Sequence, residues 1–417
     1  MCPRVLSADP YGAFQEPPEG SAVAFTLRLG QALHRYGTPA HRLEEQMRLV
    51  SQRLGLEARF FSTPTAIFAS FGPPEALRTC LIRAEPGALD LGRLARLDTV
   101  AEDVIHDRLS ADKGAELVEA ILAEPPRYGR LLLLLCWALA AGAWARLFGG
   151  SVREMAVAAL GSLLVGLLDL RMQRNPTTVW VLEPVGAILV SALAVLAASL
   201  LGPLSVQVAT LAGLIVLLPG LSLTVALNEL ATRNLISGAS RLTGAALVFL
   251  ELGFGVALGS RLAAVLPLPV TALPPPALPV WTELLALPVA LFSVSILFRA
   301  RPRDWGWIAL AGTLAFTGSR LGALVLGPQL GAFLGALIAG VASNLLGRVR
   351  DRPTIIALVP AIMLLVPGSI GFRSLESLMA RDVLAGVDTA FSMLMVAVAL
   401  VAGLLFANAL VQPRKVL

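Results

Sequence analysis

The sequence predicts a mainly α-helical membrane protein. Ten transmembrane helices are expected, arranged as two inverted five-helix repeats with broken helices and preceded by a small N-terminal α+β cytoplasmic domain. Three observations carry this. Of 417 residues, 56% are hydrophobic and 15% charged, a balance that belongs to membrane chains. The charges concentrate before residue 130, whereas the later segments are long runs of Leu, Ala, Val and Gly. Two Pro-Gly pairs, Pro219-Gly220 and Pro367-Gly368, interrupt apolar runs at positions 148 residues apart.

The opening "MCPRVLSADPYGAFQEPPEG" has no signal-type apolar core, so residues 1–19 are expected to form a flexible leader on the cytoplasmic side. Residues 20–126 are expected to make the cytoplasmic α+β domain. Apolar residues recur at helical spacing from Gly20 to about Leu54. Gly37 breaks the pattern and "TPAHRLEE" restarts it, with Thr38 suited to a cap and Pro39 to a first turn. "LEARFFST", "TAIFASFG" and "ALRTCLIRAE", separated by Thr-Pro and Gly-Pro-Pro, read as a strand meander. Helices follow near 90–109 and 111–123, the second capped by Ser110, and "EPPRYGR" closes the domain.

A bilayer crossing needs roughly 20 apolar residues. Ten candidates lie near 131–149, 154–170, 179–201, 204–219, 241–264, 280–298, 305–326, 328–347, 354–368 and 386–411. They divide into a first repeat over 127–265, a Pro-rich linker over 266–280 and a second repeat over 281–417. At the offset of 148, Arg233 falls on Arg381, Asn234 on Asp382 and Gly238 on Gly386. At 150, Arg153-Glu154 falls on Arg303-Asp304; at 145, Gly186-Ala187 falls on Gly331-Ala332. Offsets this constant indicate an internal duplication. An odd number of crossings per copy makes the second enter from the opposite side. Charge agrees: Arg127, Arg130, Arg171, Arg174, Arg233, Arg241, the arginines of 299–303 and 348–352, Arg414 and Lys415 share one face. Arg146, Arg153, Arg261, Arg320, Arg373 and Arg381 fall on the other, which predicts a multi-pass inner-membrane protein with both termini cytoplasmic.

Broken helices at matched positions of inverted repeats point to a transporter's substrate site, because lipid cannot satisfy the backbone groups that Pro and Gly set free. The candidate substrate-binding residues are Pro219, Gly220, Asn228 and Arg233 in the first copy, and Pro367, Gly368, Glu376 and Arg381 in the second. A plainer reading also fits: each Pro-Gly ends a helix at the interface, and the amphipathic stretch with Asn228, Glu229 and Arg233 lies flat at the headgroups. Charge inside apolar runs is costly, which singles out Glu251 in "VFLELGFGVALG", Glu183 in "VLEPVGA" and Arg320 in "FTGSRLGA". Glu251 and Glu183 are the candidates for proton coupling. Asp169 and Asp388, near span ends, are expected to be solvated, and Asn344 and Asn408 to hydrogen-bond between helices or to the substrate.

Other chemistries find little support. The net charge of +5 comes from arginines beside apolar runs, so topology explains it and nucleic acid is not an expected partner. Cys2, Cys80 and Cys136 are too scattered for a disulfide framework and are read as free thiols. His34 and His41 are separated by a helix break, so no metal site is expected, and there is no phosphate loop, nucleophile elbow or HExxH helix to imply an enzyme or a cofactor.

Three stretches resemble the bacterial threonine/serine exporters: "GTPAHRLEEQMRLVSQRLGL" with "STPTAIFASF", "LLPGLSLTVALNELATRNLISGASRL", and "LVPAIMLLVPGSIGFRSLESLMARDVLAGVDTAFSM". The resemblance runs from about residue 20 to the C-terminus and implies secondary export of threonine and serine, driven by protons or the membrane potential. Pro219, Gly220, Arg233, Gly238, Pro367, Gly368, Arg381 and Gly386 carry over as motif positions only. Relatives split into two subunits are linked to succinate export, so a dicarboxylate remains an alternative substrate, with Arg320 and Arg233 or Arg381 as its cationic ends. A membrane-anchored ligand sensor is a third reading, and homo-oligomerisation stays open.

Overall fold

The computed structural model describes residues 20–84, 87–173, 179–265, 278–350, 352–365 and 367–414. The leader 1–19 with Cys2, most of the Pro-rich linker, Arg174 and Lys415 lie outside the described residues.

Helix α1 (Ser21–Arg35) and helix α2 (Ala40–Arg53) cross where Gly30 leaves room for Met47, whose sulfur would lie 2.5 Å from a Cβ at that position. The expected meander is present as β1 (Ala58–Thr63), β2 (Ala66–Phe71) and β3 (Arg78–Arg83), antiparallel in the order β1-β2-β3. Alternation along the strands sends Ile67, Ala69, Phe71 and Ile82 into the helices. It leaves Phe61, Phe68 and Leu81, paired in one row across the three strands, exposed on the other face. Helix α3 (Leu91–Ile105) is capped by Asp90, whose carboxylate accepts the Arg93 N–H at 2.9 Å. Helix α4 (Ala111–Ala123) is capped by Ser110, as its sequence predicted. Thr38 departs from expectation. Pro39 occupies the cap position of α2, and the Thr38 hydroxyl is buried without a hydrogen-bond partner, so the cap of α2 comes from elsewhere in the chain.

Two of the three histidines pack into the N-terminal fold. His34 is buried with Nε2 2.9 Å from the Thr63 carbonyl, and burial, reinforced by the Arg42 charge, holds His41 down to about 4, neutral at pH 7. Among the described residues no group of three or more metal-ligating side chains converges. Cys80 and Cys136 are free thiols.

The remaining chain runs through α5 (Arg130–Leu147), α6 (Val152–Met172), α7 (Leu182–Leu201), α8 (Val206–Gly213), α9 (Gly220–Ala231) and α10 (Leu235–Ala264). The same order then recurs as α11 (Trp281–Leu297), α12 (Trp305–Leu326), α13 (Pro328–Arg350), α14 (Ile355–Met363), α15 (Gly368–Met379) and α16 (Val383–Leu410). Among the described residues, eight stretches are long and apolar enough to cross a bilayer, one of them passing through both α14 and α15. The sequence predicted ten. The difference is α11, a shorter apolar helix, and the pair α8 and α9, of 8 and 12 residues, each too short to cross alone. The chain is a multi-pass membrane protein.

The helices meet through small residues, as expected where lipid supplies no hydrophobic drive and packing must do the work. Gly255 and Gly259 of α10 lie against α7; a Cβ at Gly255 would come within 2.4 Å of the Pro184 carbonyl oxygen. Asn344 of α13 donates to Asn408 Oδ1 at 3.0 Å and to the Val411 carbonyl at 2.7 Å, which makes this pair a bridge between α13 and the end of α16.

Candidate functional site

The two Pro-Gly breaks are built alike. Pro219 and Pro367 occupy the cap positions of α9 and α15, with φ of −80° and −76°, and Gly220 and Gly368 are the first helical residues of two 12-residue helices. Both glycines are buried and they face each other. A Cβ on Gly368 would lie 3.4 Å from the Gly220 Cα and 3.5 Å from the Leu218 Cβ. Beside this contact is a gap of ≈ 10 Å³ lined by Trp144, Ile215, Leu218, Met363, Gly368 and Ser369. That is room for no more than about one water, so the breaks are closed on each other.

Neither α9 nor α15 has a side-chain cap or an acidic residue in its first turn. The N-terminal amides of a helix lack intrahelical partners and carry roughly half a positive charge. Two such ends therefore meet in an apolar setting. The C-terminal ends of α8 and α14, of opposite polarity, lead into the same breaks.

The matched arginines do a different job from the one their sequence suggests. Arg233 and Arg381 are exposed and adopt left-handed backbone, φ 65° and 64°. Arg233 N–H bonds to the Leu230 carbonyl at 3.0 Å and Asn234 N–H to the Glu229 carbonyl at 2.8 Å; Arg381 to Leu378 and Asp382 to Ser377, each at 3.0 Å, repeat the pattern. These are paired Schellman turns with arginine where glycine is usual, at a cost of about 1–2 kcal/mol for each left-handed L-residue. Neither arginine lines the gap. The matched glycines follow from the same hairpins. A Cβ on Gly238 would meet the Ala226 carbonyl oxygen at 2.8 Å and the Leu230 nitrogen at 2.9 Å, and one on Gly386 would meet Leu378 at 2.5 Å.

The remaining candidates are dispersed. Glu376 of α15 is half-buried and accepts from Gln207 Nε2, near the start of α8, at 2.8 Å. Asn228 holds the equivalent position on α9, also half-buried. Glu183 stands in the first turn of α7 and Glu251 midway along α10; both are half-buried, and Glu251 and Asp169 act electrostatically on Glu183. Arg320 is paired with Glu283 at 3.0 Å, and Glu283 also lies 3.5 Å from the buried Arg146. Arg320 is thus held at the start of α11 and does not reach the gap.

Sequence reasoning placed Glu229 only in an amphipathic stretch that could lie flat at the headgroups, and gave it no part in the site. This carboxylate is fully buried and accepts from the Ala40 backbone N–H at 2.9 Å, from Ser237 Oγ at 2.8 Å and from Arg241 Nε at 3.0 Å. It is the missing cap of α2, supplied from 189 positions away. The N-terminal domain has further anchors: Leu91 N–H to the Phe298 carbonyl at 2.9 Å, Tyr128 hydroxyl to the Ala300 carbonyl, and Asp90 with Arg299 at 3.7 Å. A signal for Glu229 was present in its neighbours Ser237 and Arg241, but the helical period that would align them is broken by the turn at Arg233.

The chain is similar over most of its length to membrane proteins of fungi. Pheromone-regulated membrane protein 10 of Saccharomyces cerevisiae is 29% identical over 374 residues, covering 84% of this chain and 46% of that protein. The proteins of that name from Eremothecium gossypii and Candida albicans are each 28% identical, over 84% of this chain and 48% and 33% of their own length. The chain spans about half the length of these curated relatives, or less. No solved structure matches it. Two family descriptions cover it in succession: ThrE, a threonine/serine exporter, over residues 24–263, and Threonine/Serine exporter, ThrE, again over residues 283–410. With the first match alone spanning more than half of its length, the chain belongs to the threonine/serine exporter family.

Proposed function

We propose that this protein is a secondary transporter that exports threonine and serine from the cell across the inner membrane, with substrate bound between the two Pro-Gly breaks. The observation that carries the reading is the meeting of Gly220 with Gly368. Two uncapped helix N-termini held against each other repel, and a carboxylate placed between them satisfies both. The partially negative ends of α8 and α14 suit the ammonium of the same amino acid, so the backbone can recognise a zwitterion without a charged side chain in the gap lining.

The topology we infer is ten crossings in two inverted copies, with α8–α9 and α14–α15 as the broken ones and both termini cytoplasmic. The start of α8 touches α15 through Gln207 and Glu376, whereas Thr354, at the start of α14, approaches Arg42 of the N-terminal domain on the side where α9 ends. The broken helices thus run in opposite senses past one contact point. The small gap makes this a closed state, and transport requires the breaks to part alternately toward each side.

Glu251 and Glu183 are assigned to the proton. They are neighbouring half-buried carboxylates on helices that pack closely through Gly255, next to the broken pair but outside the gap. Glu251→Gln should abolish the pH dependence of flux while leaving assembly intact; a pH profile matching that of the parent removes Glu251 from coupling.

Dicarboxylate export is the second reading, favoured by the same two positive helix ends. Counterflow in proteoliposomes with labelled serine, threonine and succinate separates the two. Serine and threonine should exchange, and exchange of succinate alone would overturn the assignment.

A further inference from the structure

On the outer side of the breaks, by the inferred topology, the start of α8 touches α15 directly through Gln207 and Glu376. On the opposite side, the related seam between the end of α9 and the start of α14 receives a third element. The tip of α2 enters it: Ala40 donates its N–H to Glu229 of α9, and Arg42 reaches Thr354 Oγ1 at 3.4 Å. Thr38, Ala40, Glu229 and Thr354 are all buried there.

We propose that the tip of α2, Thr38–Arg42, is the cytoplasmic gate of the membrane domain. Seated between Glu229 and Thr354 it closes the path to the Gly220–Gly368 contact, and its withdrawal opens that path. The inference rests on the transport reading above. The contact is suited to reversal. When the tip leaves, Glu229 keeps Arg241 and Ser237, both from α10, so no buried charge is orphaned. The Ala40 N–H passes to water, the ordinary fate of a first-turn amide. Release of this latch gives up the Ala40–Glu229 hydrogen bond and the longer Arg42–Thr354 contact, and it is the first of these that a single substitution can remove. The other groups around Glu229, His34 and Glu44, are engaged with Thr63 and Ser62 of β1 and are not consumed by the latch.

Local geometry offers a selective test. Ala40 is the first helical residue of α2, a position proline favours, and Pro39 already has the extended backbone, φ −60° and ψ 148°, that a following proline requires. Ala40→Pro therefore deletes the N–H that Glu229 accepts and spares the helix. The full-length chain carries Ser369→Cys as a reporter in the gap, with Cys2, Cys80 and Cys136 replaced by Ser. In sealed vesicles of each orientation it is labelled with a membrane-impermeant maleimide. Ala40→Pro should raise labelling from the side of the N-terminal domain about fivefold, the worth of one hydrogen bond, and leave labelling from the other side unchanged. Glu229→Gln, which loosens the same latch, should act in the same direction. Unchanged labelling in both variants, or an equal rise from both sides, overturns the gate. Because labelling is independent of substrate, a gate that responds without serine or threonine flux leaves this inference standing and removes the substrate assignment instead.

Discussion

Gly238→Ala should destabilise the protein by about 1–3 kcal/mol, lowering the Tm of the detergent-solubilised chain by several degrees, because the new methyl overpacks a contact with no slack. Its Cβ would stand 2.8 Å from the Ala226 carbonyl oxygen and 2.9 Å from the Leu230 nitrogen, backbone atoms of α9 that a rotamer change cannot move. Gly244, six residues along the same helix, is the control. A Cβ there meets nothing within 4 Å, so Gly244→Ala should leave the Tm unchanged or raise it, alanine being worth about 0.5–1 kcal/mol over glycine inside a helix. Equal effects at the two positions would show that glycine is present at 238 for propensity and not for the close approach of α9 and α10. Gly386, placed against Leu378, should behave like Gly238.

Gly368→Leu should reduce serine and threonine flux about ten- to hundredfold while Gly368→Ala retains most of it. The alanine methyl would find ordinary contacts of 3.4–3.6 Å, whereas the leucine side chain must enter a gap of ≈ 10 Å³. Overpacking worth about 1–3 kcal/mol at the closed contact biases the breaks apart and slows each closure by a corresponding factor. Proteoliposome flux, normalised to folded protein by size-exclusion profile, is the measurement. A leucine variant with parental flux would move the substrate path away from the Gly220–Gly368 contact.

Much of this architecture was legible in the sequence. The β-rich runs between Thr-Pro and Gly-Pro-Pro breaks marked the sheet, Ser110 marked the start of α4, and the constant offset of Pro219 to Pro367 marked two like breaks. What stayed hidden was conformation and long-range pairing. An arginine after an apolar break reads as a ligand, yet Arg233 and Arg381 are the left-handed residues of turns, and φ leaves no trace in residue type unless glycine is chosen. Thr38-Pro39 reads as a cap, yet the donor it was to satisfy is claimed by Glu229. Arg320 reads as a free cation in an apolar run, but Glu283, 37 positions earlier, is its partner across α11 and α12. Glu183 and Glu251 were singled out by charge alone, and the Gly255 crossing that brings their helices together belongs to no local pattern.

The distant cap of α2 also sets an order of events during synthesis. The first turn of α2 is made early, but the carboxylate that completes it emerges 189 residues later. At about 5–20 residues per second that is a wait of roughly 10–40 s. Throughout it the N-terminal domain has its own buried core but lacks its Glu229 attachment, and α9 and α10 have yet to be inserted. The domain is therefore expected to fold before its partner surface exists, so that docking on Glu229 reports that the first half of the membrane domain has been threaded, while its contacts with Phe298 and Ala300 wait for the second half.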